Sequence, residues 1–137
     1  MEIHFQLSDP EFEQQFQACT LDPAIFSHEA HVRLAWIHIK KYGVEKAVEN
    51  IRQQLQQFVE YVGASGKYND TVTVAAVMAV DHFIRRSSTN NFHDFINEFP
   101  RLKTNFKDLI RTHYSENIFA SEKHKREYIE PDLLAFT

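Results

Sequence analysis

Asp70-Thr71-Val72-Thr73-Val74-Ala75-Ala76-Val77-Met78-Ala79-Val80-Asp81-His82-Phe83-Ile84-Arg85-Arg86 is the stretch on which the fold class turns. From Val72 to Val80 it is apolar almost all round and rich in valine, which suits a buried strand as well as a buried helix. Its length to Arg86 exceeds that of an ordinary strand, and Ala75, Ala76, Met78 and Ala79 favour helix. Asn69 or Asp70 can cap its start. A central buried helix is therefore predicted, and with it an all-α protein.

The rest of the chain agrees. Ala47, Val48, Ile51, Leu55, Phe58, Val59 and Val62 keep three-and-four spacing until Gly63, which makes the segment from Val44 the clearest amphipathic helix. Before it, Ser27 can cap a helix through His31, Trp36 and His38 to Tyr42, with Gly43 as its stop. Ser8-Asp9-Pro10 starts a short first helix ending near Cys19. Phe92, Phe95, Ile96 and Phe99, then Phe106, Leu109, Ile110 and His113, give two more helices separated by Pro100. The tail, Tyr128 to Phe136, is apolar enough to dock. The expectation is one helical domain over residues 1–137, a bundle of five to seven helices with short loops.

Composition narrows the function classes. The chain has 137 residues, 43% of them hydrophobic, with twelve phenylalanines, enough for one core. Three glycines are too few for a glycine-rich phosphate loop or for a barrel's turns. The lone Cys19 can form no internal disulfide and belongs to no Cys-x-x-Cys metal motif. A net charge of -4 argues against nonspecific nucleic-acid binding. The basic run Lys123-His124-Lys125-Arg126 lies among Glu122, Glu127 and Glu130 and reads as solvated surface. No signal-like leader and no apolar run of bilayer length are visible, so a cytoplasmic protein with no membrane partner is expected.

Eight histidines stand out. His28 and His31, at i and i+3, can stack on one side of a helix and reach one ion. At 100° per residue His28 falls on the face of Val32, Ala35 and Ile39, which predicts burial, with His31 and His38 at its border. Glu29, Arg33 and Lys40 point the other way. A buried imidazole needs a hydrogen-bond partner or a metal, and satisfied core histidines are the plain structural alternative. His4, His93 and His124 are expected at the surface, whereas His38, His82 and His113 can turn inward without a partner at ligand spacing. The second polar cluster is Tyr68-Asn69-Asp70-Thr71, at the start of the buried helix.

At these residues the chain resembles a family of small, largely uncharacterised bacterial helical proteins. Their pattern is Phe-x-His-x-x-His-(Val or Leu)-Arg-x-Ala-Trp, matched by Phe26 to Trp36, then Tyr-His-Glu-Thr-x-Thr, represented by Tyr68 to Thr73, then an aromatic helix and a turn leading to Pro131-Asp132. Asn69-Asp70 replaces the family's His-Glu, which removes an imidazole and shortens the carboxylate. The resemblance implies that the His28 helix and the Tyr68–Thr73 helix start face one pocket.

The functional expectation is a pocket that binds a divalent transition metal or a small polar ligand. His28, His31 and Asp70 are the metal ligands or, with Tyr68, the acid/base groups; Asn69, Thr73 and Arg33 are ligand-binding residues, Arg33 pairing with a carboxylate such as Asp132 or with an anionic substrate. The alternative is a noncatalytic interaction or homodimerisation module that displays a Phe92-Phe95-Phe99 stripe.

Overall fold

The computed structural model describes all 137 residues and contains eight α-helices, short 3-10 turns and no strand, so the chain is all-α. Its contacts divide it into two compact units, Met1–Tyr68 and Asn69–Thr137. No helix is long and apolar enough to cross a membrane.

The first unit begins with a 3-10 turn, Ile3–Gln6, followed by α1 (Asp9–Gln17), α2 (His28–Tyr42) and α3 (Val44–Tyr61). Ser8 forms a complete capping box with Glu11 at the start of α1, and the Ser27 hydroxyl accepts from the Ala30 amide at the start of α2. Gly43 joins α2 to α3 at φ 86°, a left-handed conformation that glycine adopts without a Cβ penalty. Helix α3 is amphipathic as expected, burying Ala47, Ile51, Leu55 and Phe58. Phe58 stacks on Phe16 with ring centroids 4.9 Å apart and meets Phe26 edge-on at 5.3 Å. Helix α2 differs from its two-faced reading, because every residue from Val32 to Ile39 is buried. It is the central helix of this unit, packed on α3 and α1.

The second unit comprises α4 (Asp70–Ile84), α5 (Phe92–Glu98), α6 (Arg101–Thr104), α7 (Phe106–Arg111) and α8 (Glu122–Arg126). The valine-rich stretch is the helix α4, with Asn69 as its N-cap accepting from the Val72 amide at 3.0 Å. Ala75 and Ala79 pack against Phe106, Ile110, Tyr114 and Ile118. The helix count exceeds the expected range because the aromatic region breaks twice. Phe99, before Pro100, leaves the helical region (φ -123°, ψ 66°) and ends α5, and Asn105 separates α6 from α7. The basic run, expected to be plain solvated surface, forms α8 and buries His124. Phe92 and Phe95 are core residues, so the anticipated phenylalanine stripe is not an exposed surface.

The tail docks on this unit through hydrogen bonds rather than through a further helix. The Thr71 hydroxyl donates to the Glu127 carbonyl and accepts from the Ile129 amide, Tyr114 donates to the Ile129 carbonyl, and the Ser115 amide donates to Asp132. Phe136 stacks on His113 at 4.1 Å.

Candidate metal centre

The polar centre of the first unit is not the His28–His31 pair. His28, the first residue of α2, is exposed rather than buried. Angular position alone put it on the buried face, but burial on α2 depends on what covers each turn, and the first turn leaves His28 to solvent. His31 stacks on Phe26 with centroids 3.8 Å apart. Desolvation first and the His28 charge second lower its pKa, to about 4. His31 is nevertheless exposed, like His28, and hydration of its open side opposes that shift.

Of the residues read as pointing away from the core, Lys40 is exposed, but Glu29 and Arg33 are enclosed. Glu29 is 5% exposed and Arg33 4%. Both face the N-terminal 3-10 turn, whose His4, expected at the surface, is completely buried. The Arg33 guanidinium donates to the carbonyls of His4 at 2.6 Å and Leu7 at 2.8 Å, and pairs with Asp9 at 2.9 Å. It also lies over the rings of Phe12 and Phe5, at 5.0 and 5.6 Å. Its carboxylate partner is therefore Asp9; Asp132 accepts from the Ser115 amide and hydroxyl instead.

His4 lies between two partners. Its Nδ1 is 3.3 Å from Arg33 Nη1, which can only donate, so Nδ1 accepts and Nε2 carries the proton. Nε2 then donates to Glu29 Oε1 at 2.6 Å. Burial lowers the His4 pKa, and the Glu29 carboxylate offsets this only in part, so the imidazole is neutral at neutral pH. Glu2 completes the cluster, with Oε1 3.8 Å from His4 Nε2 and a hydrogen bond from the Ser27 hydroxyl. One ligand atom from each of Glu2, His4 and Glu29 lies within 4.8 Å of the others. One imidazole and two carboxylates form a donor set for manganese, iron or zinc in the divalent state.

The same unit holds another buried histidine at the far end of α2. His38 is fully buried, with Nδ1 3.5 Å from Asn50 Nδ2 and no hydrogen-bond partner at Nε2. Nearby, Glu13 accepts from Tyr42 at 2.5 Å and Lys41 at 3.0 Å. Burial alone would raise the Glu13 pKa, but those two bonds outweigh it and the net shift is downward.

In the second unit Asn69 and Thr73 hydrogen-bond to the backbone. Asn69 caps α4 and also donates to the Ile118 carbonyl at 2.8 Å. Thr73 donates to the Asn69 carbonyl at 2.7 Å, one turn back. Asp70 is buried in the first turn of α4. Tyr68 ends the first unit, half-buried. His28 and His31 thus belong to one unit, and Asp70, Asn69 and Thr73 to the other. Ser121 and the buried His124 also meet, Oγ to Nδ1 at 2.7 Å, with Glu116 3.7 Å from Nε2. That pair arises from capping, since Ser121 also accepts from the His124 amide at the start of α8.

Sequence reasoning passed over His4, Glu29 and Arg33 as a set, although a signal was present. Glu29 and Arg33 are one helical turn apart, and Arg33 stands in a helix whose following turns are apolar on every side. In such a helix a charged residue has no solvent face and must be buried with a partner. No family model, curated protein or solved structure matches the chain, so residue roles rest on this geometry.

Proposed function

We propose that this chain is a small helical protein that binds a divalent transition metal through Glu2, His4 and Glu29. The observation that carries the reading is the convergence of the three ligand atoms within 4.8 Å, two of them on side chains almost wholly removed from water. The metal expected from the sequence is kept and its ligands change. Bound there, a divalent cation would neutralise both carboxylates and take the place of the His4 Nε2 proton.

Arg33 limits the affinity. A metal on Nε2 moves the ring proton to Nδ1, which faces the Arg33 donor at 3.3 Å. That contact is the weakest of Arg33's bonds and can open while those to His4, Leu7 and Asp9 remain. Binding is thus exchangeable, in contrast to a closed structural zinc site.

Equilibrium dialysis of the untagged chain against Mn(II) or Zn(II), followed by elemental analysis, tests this. One equivalent is expected in the parent, with at least a tenfold loss of affinity in Glu29→Gln. Equal uptake by parent and variant, or none by the parent, contradicts it.

A further inference from the structure

We infer, resting on the metal reading above, that the cation at Glu2, His4 and Glu29 is a latch that fastens residues 1–7 to α2. Of the ligands, His4 lies within a turn of only four residues, Ile3–Gln6, and Glu2 immediately precedes it; the third, Glu29, is on α2. A single 3-10 turn has no stability of its own, so its place depends on what it is tied to. The metal-free ties include the bonds of His4 to Glu29, of the Ser27 hydroxyl to Glu2 and of Arg33 to two carbonyls of the segment, with ring contacts of His4 to Phe12 and of Phe5 to Arg33. Ile3, within the turn, remains 59% exposed and supplies little apolar anchoring.

The distances show how the latch works. Metal–ligand bonds of about 2.1 Å at angles near 90–110° put neighbouring donor atoms about 3.0–3.4 Å apart. His4 Nε2 and Glu29 Oε1 stand at 2.6 Å and must spread to admit the ion, while Glu2 Oε1, at 3.8 Å from Nε2, must close on it. The ion would exchange one short hydrogen bond for three coordinate bonds, with the single ring proton of the neutral imidazole transferred from Nε2 to Nδ1 by way of solvent. Release of the segment separates the ligands, so metal opposes release by mass action. At a free metal concentration a hundred times Kd, the open population falls about 100-fold.

Hydrogen exchange on the full chain, with calorimetry under the same conditions, tests the latch with Mn(II) alone and Zn(II) alone as probes. Amides in residues 3–7 are expected to gain about 100-fold protection at that excess of metal. The Glu2→Gln variant retains the His4–Glu29 bond and a carbonyl for Ser27, and should need at least tenfold more metal for the same protection. Heat of binding with unchanged exchange in residues 3–7 overturns the latch and leaves the metal site standing. Absence of binding heat, with no metal retained on dialysis, overturns both.

Discussion

At the scale of single residues, α2 shows how an apolar helix disposes of its polar groups. Arg33 and Glu29 are engaged by the N-terminal turn, with Arg33 Nε left unpaired, and His38 at the other end keeps one ring nitrogen without a partner. Burial depresses the His38 pKa below its ordinary 6.5, against the pull of Glu13 and with the help of Lys41. The other groups beside the ring are the Asn50 amide and the Tyr42 ring. Because the folded pKa lies below the unfolded one, the unfolded chain binds more protons in the window beneath 6.5. The stability that neutral His38 provides is full above the unfolded pKa and is lost as pH falls toward the folded value. Urea unfolding between pH 7.5 and 5 should show stability falling with acidity. In His38→Gln the slope should be shallower, by at most about 1.4 kcal/mol per pH unit. Parallel pH curves for the two proteins would remove His38 from this account.

At the scale of elements, caps and turns were the most legible features and burial the least. Ser8, Ser27, Asn69 and Gly43 stand where side-chain chemistry puts them, because capping depends on neighbours a few residues away. Asn69 combines a cap with a longer tie, accepting from the Val72 amide and donating to the Ile118 carbonyl. Asn69→Ala should therefore cost about 2 kcal/mol, the sum of a lost cap and a lost hydrogen bond, and Asn69→Asp about 1, since a carboxylate caps equally well and cannot donate. Denaturant titration of both variants checks this, and equal losses would contradict the double role. His28, His4 and His124 were misjudged for the opposite reason. Exposure of His28, enclosure of His4 and burial of His124 are decided by residues outside their own helical turns, and helical periodicity carries no record of them. The short breaks at Phe99 and Asn105 were half legible, as proline signalled the first and nothing local signalled the second.

At the scale of the whole molecule, the all-α class followed from the length and alanine content of α4, and the Glu2–His4–Glu29 cluster did not follow from histidine spacing. The His-x-x-His pair is a surface feature of α2, with one ring exposed and the other stacked on Phe26. The enclosed donor set joins positions 2, 4 and 29, a combination that only folding creates. The two readings of metal binding separate cleanly in one spectrum. Proton–nitrogen correlation NMR of the full chain labelled at histidine side chains, titrated with Zn(II), should move the His4 Nε2 resonance and leave the His28 and His31 rings in place. A His4 ring unaffected by saturating Zn(II), or shifts confined to His28 and His31, would contradict the Glu2–His4–Glu29 centre.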